Sequence, residues 1–174
     1  MSRGLLRLTG YLGLAWGILA LLAYLLAFAV ATRALAASGT AAVQVLVPLA
    51  TAAFVAMMFF IGAVLRNPLG KAAAYAAMGA ALVSLILQFV RVGGGGVAIV
   101  VTVVLGLAMI AAGVFALLQG GSLAWRAFAI LFVIAGALNA LKAIVIGEIV
   151  YPFIACAAGI VLFVAMSAAA KQTA

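Results

Sequence analysis

Histidine and aspartate are absent from this chain, and glutamate and cysteine occur once each, as Glu148 and Cys156. Without histidine, the chain's own residues cannot supply a bis-His haem, a His-ligated zinc or copper site, or a Ser-His-Asp triad. A single carboxylate removes paired acid–base chemistry and a carboxylate-held magnesium site. One cysteine removes an internal disulfide and a Cys-x-x-Cys redox pair. Cys156 lies in an apolar run and reads as a small buried hydrophobe. The expectation is a chain that is not an enzyme by its own residues and that supplies no cofactor site of its own. A bound lipid or quinone remains compatible with it.

Charge is scarce and one-sided. Nine Lys and Arg face one acid, for a net charge of +8, while 72% of the 174 residues are hydrophobic. The mean hydropathy is +1.55. A soluble domain is roughly half apolar and about a quarter charged, so an ordinary globular protein is excluded. The cations stand singly at the ends of apolar runs, as orientation signals and headgroup anchors do. No basic run interleaved with aromatics occurs, so nucleic acid is not an expected partner. The expected partners are membrane lipids, anionic ones included, and other membrane subunits.

The composition predicts an all-α, polytopic integral membrane bundle of six transmembrane helices, one transmembrane domain over residues 1–174. About 20 apolar residues at 1.5 Å each cross a hydrocarbon core of about 30 Å. The uncharged runs place helices at 8–31, 42–65, 72–90, 97–118, 127–146 and 150–169. The first run continues to Ala31, too long for a signal-peptide core, and reads as the first span. Arg66-Asn67-Pro68-Leu69-Gly70-Lys71 reads as a tight turn, Gly93–Gly96 as a glycine break, and Gly120-Gly121-Ser122 as a third connection. The last two helices are expected to meet at Gly147-Glu148, with Pro152 in a first helical turn. At a fixed offset, Leu69, Gln88 and Gly93 fall on Leu123, Lys142 and Gly147, which suggests three repeated helical hairpins in an Ala/Gly/Leu-rich chain.

Gly10, Gly13, Gly17 and Ala20 recur at three- and four-residue spacings, and with Gly136 and Gly159 they mark faces where helix backbones pack closely in lipid. Met57-Met58-Phe59-Phe60 covers opposite helix faces and reads as lipid-facing and core packing. Trp16 sits mid-helix, and its indole N–H requires a partner.

Polar residues gather near one boundary: Asn139, Lys142, Gln88, Glu148 and Arg91, with Arg33 and Gln44 close by. Asn139 and Lys142, three apart, share a helix face on the expected boundaries. Ionisable groups in a membrane segment are costly and mark candidate sites. The plainer reading has Lys142 snorkelling and Glu148 pairing locally with Lys142 or Arg91. The sharper one makes the group a ligand, ion or lipid-headgroup site. A retinal-type Schiff base on Lys142 is disfavoured for want of a mid-membrane counter-ion.

Two functions follow. The first is a non-catalytic subunit or scaffold of a larger membrane complex, packed through small-residue faces. The second is a small transporter or ligand-binding module using the polar cluster. The six helices and Ala23-x-x-x-Ala27-x-x-x-Ala31 resemble the substrate-binding components of energy-coupling-factor transporters, a resemblance that implies docking through the first helix. The substrate loops and polar pockets of that family are not legible here. The hairpin pattern with Trp16-Gly17-Ile18-Leu19-Ala20 resembles HdeD-like six-helix proteins. Neither resemblance identifies a family.

Arg3, Arg7, Arg66, Lys71, Arg126 and Lys171 fall on one side, and Arg33, Arg91 and Lys142 on the other. This bias predicts cytoplasmic N- and C-termini in the cell membrane. With Asn67→Cys in a Cys156→Ala background, a membrane-impermeant maleimide should leave intact cells unlabelled and react after permeabilisation. Labelling from outside would invert the topology.

Overall fold

The computed structural model describes residues 2–32, 38–90, 96–141 and 145–172, with the side chains of residues 38 and 145–148 outside that description. Six helices follow one another: α1 (Arg3–Ala31), α2 (Ser38–Val64), α3 (Pro68–Val90), α4 (Gly96–Leu118), α5 (Leu123–Ala140) and α6 (Val145–Gln172). All six contain spans long and apolar enough to cross a membrane, and the described residues contain no strand.

Caps, not charges, set where the helices begin. The Leu5 N–H donates to Ser2 Oγ at 3.4 Å, so α1 starts at Arg3 rather than at residue 8. Asn67 accepts the Leu69 N–H on its side chain at 2.8 Å and the Lys71 N–H on its carbonyl at 3.0 Å. Pro68 then takes the first helical position, which needs no N–H donor. Of the stretch expected to be a turn, Arg66-Asn67 lies between the helices, while Pro68 to Lys71 forms the opening turn of α3. Ser122 Oγ accepts the Trp125 N–H at 3.2 Å and starts α5 at Leu123, four residues before the expected 127. Before it, Gly120 and Gly121 hold φ of +73° and +128°, a backbone that side chains with Cβ rarely adopt.

The early start of α5 also moves its end. Its 18 residues rise about 27 Å, already a bilayer crossing, and Leu141 caps the helix. The expected junction at Gly147-Glu148 is thus corrected: α5 stops at Ala140 and α6 is under way by Val145. Pro152 lies inside α6 instead of in its first turn, and Pro48 lies well inside α2.

Each helix packs against its neighbours in sequence, and α6 closes onto α1, making a six-membered ring. Lipid hydrocarbon offers no hydrophobic drive for this closure, so close backbone packing must supply the attraction. Gly13 and Gly159 meet face to face at the α1–α6 crossing, and a Cβ on Gly159 would overlap the Gly13 carbonyl oxygen. A Cβ on Gly17 would lie 2.8 Å from the Ala155 carbonyl oxygen, and one on Gly10 would lie 3.2 Å from Phe163 Cα. Gly136 meets Gly106 at the α4–α5 crossing, where its Cβ would stand 2.8 Å from the Gly106 carbonyl oxygen.

Alternating helix direction puts the α1 start, the α2–α3 and α4–α5 turns and the α6 end at one pole. Arg3, Arg7, Arg66, Lys71, Arg126 and Lys171 are exposed there, and Glu148, the chain's one acid, belongs to the start of α6 at the other pole. The interior near this basic end is filled: Met57, Met58, Ile61, Met109, Phe128 and Leu162 are fully buried. Phe59, expected with the two methionines on mixed faces, is exposed toward lipid. Gln119, at the end of α4, ties two elements together. Its Oε1 accepts the Arg66 N–H at 2.7 Å, while its amide N–H₂ donates to the Val64 carbonyl at 3.5 Å.

Gly159→Ala should lower stability by about 1–3 kcal/mol, because the added carbon has backbone and not a yielding side chain in front of it. Gly79, with open space around its Cβ position, should tolerate alanine with a gain of about 0.5–1 kcal/mol. Equilibrium unfolding in mixed detergent–SDS micelles measures both. Equal stability of Gly159→Ala and the parent would refute the close α1–α6 crossing.

Candidate functional site

The half of the ring away from the basic end is not filled. A cavity of about 520 Å³ lies there, lined by residues of all six helices. This is within the roughly 300–1,000 Å³ of small-molecule sites. Its existence follows from side-chain size. Toward the basic end the ring interior receives methionines and phenylalanines, whereas α1 contributes Ala20, Ala23, Ala27 and Ala31 to the cavity wall. The small-residue stripe of α1 is therefore two features in series. Its glycines pack against α6, and its alanines leave space.

An aromatic cluster forms the boundary between the two halves. Trp16 and Phe54, which line the cavity, stand edge to face with ring centroids 5.2 Å apart. Both reach across the ring to Phe132, at 6.1 and 6.2 Å. Such separations are favourable for aromatic pairs. Trp16 is 3% exposed and lines the cavity together with Tyr151 of α6.

Gln88 and Asn139, both singled out from the sequence, line this same cavity. Asn139 is 2% exposed and donates from its Nδ2 to the Thr102 carbonyl at 3.1 Å. Gln88 Oε1 is buried and has no hydrogen-bond partner among the described residues. Lys142 and Arg91 lie outside the described residues, as does the Glu148 side chain. α5 ends at Ala140, so the expected shared face of Asn139 and Lys142 lies partly outside the described residues. Gln44 is exposed on α2 and borders a neighbouring crevice rather than this cavity.

Sequence reasoning missed Tyr24, Thr51, Ser84, Thr102 and Tyr151, all in the lining. For Ser84 and Gln88 the spacing of four on α3 was a usable signal, since it places both on one helix face. Tyr24 sits inside the alanine stripe at helical spacing. The threonines carried no such signal. Their hydroxyls donate backward, Thr51 to the Val47 carbonyl at 2.9 Å and Thr102 to the Ala98 carbonyl at 2.8 Å. With those protons committed, each hydroxyl oxygen retains only acceptor capacity toward the cavity.

The described lining is apolar and aromatic surface with a few neutral polar groups. No described residue that lines it is charged at neutral pH. Its chemistry is shape, aromatic contact and hydrogen bonding. Comparison with protein-family models, with curated proteins and with solved structures found no match to this chain.

Proposed function

We propose that this chain is a membrane-embedded binding module for a small, uncharged amphiphile, held in the ring's cavity. The observation that carries the reading is Gln88 Oε1, a buried acceptor without a partner at the wall of a ligand-sized cavity. A polar atom buried in a membrane interior without a hydrogen bond is costly, and a ligand hydroxyl relieves that cost. The lack of a charged group in the described lining argues against a charged ligand, whose desolvation nothing there would offset. An apolar body against Trp16, Phe54 and the α1 alanines, with a hydroxylated head near Gln88 and Asn139, fits these walls. With cytoplasmic termini, the cavity occupies the outer half of the membrane.

Trp16 in the cavity wall provides the assay. In a Trp125→Phe background, a monoacylglycerol with a brominated ten-carbon chain should quench Trp16 fluorescence saturably. Gln88→Leu and Asn139→Leu should each weaken its apparent affinity about tenfold, or about 1.4 kcal/mol, with the helical circular dichroism unchanged. Quenching that rises linearly with probe and ignores both substitutions would reject the site.

A second, compatible reading is supported by the basic end, where Arg3, Arg7, Arg66, Lys71, Arg126 and Lys171 are exposed together. Such a surface suits a subunit seated on anionic lipid or against an acidic membrane partner. Native mass spectrometry after mild-detergent isolation should then show a stoichiometric partner chain. A lone chain carrying only lipid would leave the binding module without the subunit role.

A further inference from the structure

Beside the central cavity, a crevice of about 600 Å³ opens between α2 and α3, bordered by Gln44, Pro48 and Phe89. The two spaces adjoin, because Val43, Val47 and Gln88 line both. Gln88, with its unpartnered Oε1, therefore stands at their common wall.

The crevice is marked by polar groups that a lipid-facing helix seam does not need. Pro48 has no N–H, so it cannot serve the carbonyl of Gln44 one turn earlier. The Gln44 side chain is itself exposed on the same turn, while Phe89 on the facing helix is 72% exposed. The Gln44 carbonyl loses its helical donor at position 48 and keeps acceptor capacity. Gln44 borders the crevice, Gln88 borders both spaces, and Thr51 and Asn139 border the cavity.

We infer that the α2–α3 crevice is the lateral passage by which a neutral, hydroxyl-bearing amphiphile moves from the bilayer into the cavity. The inference rests on the binding reading above. The hydroxyl head passes from the Gln44 carbonyl to Gln88 while the chain remains in lipid. A cationic head would lack a counter-charge along this route, since no described residue of either lining is acidic.

The test separates the path from the site. Gln44→Cys, in a Cys156→Ala and Trp125→Phe background, is alkylated with a bulky maleimide, and the brominated monoacylglycerol is followed by stopped-flow Trp16 quenching. Blocking a passage slows arrival and departure alike, so both rates should fall at least tenfold while the equilibrium affinity stays constant. The same label at Ile160→Cys, a lipid-exposed position on α6, should change neither rate. Unchanged rates with the label at position 44 would overturn the passage and leave the binding site standing. A changed affinity with an unchanged arrival rate would make Gln44 part of the site instead, and would equally overturn it. Absence of saturable quenching in the unlabelled parent would remove both. Tighter binding of the matching alkylamine than of the monoacylglycerol would overturn the assignment of a neutral head.

Discussion

Closure of the ring at the α1–α6 crossing is the constraint on which the remaining architecture depends. Five of the six helix contacts join neighbours in sequence and need only short connections. The sixth joins the two ends of the chain and has no covalent help. In a bilayer the lipid tails compete on equal terms with apolar side chains, so this contact holds only if backbones approach closer than lipid can. Gly13, Gly17 and Gly159 permit that approach: opposing backbone stands where a Cβ would be at Gly17 and Gly159, and the Leu162 side chain at Gly13. If the contact were lost, the helices would still span, but the cavity would lose its α1 wall on one side and its α6 wall on the other.

Given closure, the two halves differ by what fills them. Six helices in a ring leave a central space that side chains from opposite helices must occupy. Near the basic end Met57, Met58, Met109 and Phe128 do so. At mid-depth, Trp16, Phe54 and Phe132 meet across the ring. Beyond them α1 offers alanines, and the remaining groups are too short to meet. The cavity thus follows from one substitution of size along one helix, with the aromatic cluster as its floor. Gln119 and the paired turns stitch the opposite pole.

Much of this was legible in the sequence, and the limits have physical causes. Charge scarcity and run length are properties of single segments, so the helix count and all-α class could be read directly. Helix starts could not be read from charge, because Ser2, Asn67 and Ser122 decide them by capping. The α5–α6 junction was misplaced for the same reason: a helix that starts four residues early has crossed the bilayer before Lys142. Gln88 and Asn139 were visible because amides in an apolar run are conspicuous. Tyr24, Thr51, Thr102 and Tyr151 were not. Their relevance depends on which face each helix turns inward, and that rotation is fixed only when the ring closes. The stripe on α1 showed its periodicity but not its division into packing glycines and cavity-lining alanines.

The electrostatic character of the cavity has a further source in the alternation of the helices. Around the ring, odd-numbered helices present their C-terminal ends to the cavity pole and even-numbered ones their N-terminal ends. A helix end carries a partial charge of about half a unit, negative at the C-terminus and positive at the N-terminus. Three of each sign, interleaved, cancel within a few ångströms. The cavity is therefore neutral in its described side chains and nearly neutral in its backbone field. On the proposed binding reading, discrimination by such a cavity is local. Hydrogen bonds at Gln88 and Asn139 and the fit against Trp16 and Phe54 are the terms left to provide it. Six of the chain's nine cations, Arg3, Arg7, Arg66, Lys71, Arg126 and Lys171, stand at the opposite pole, away from the cavity.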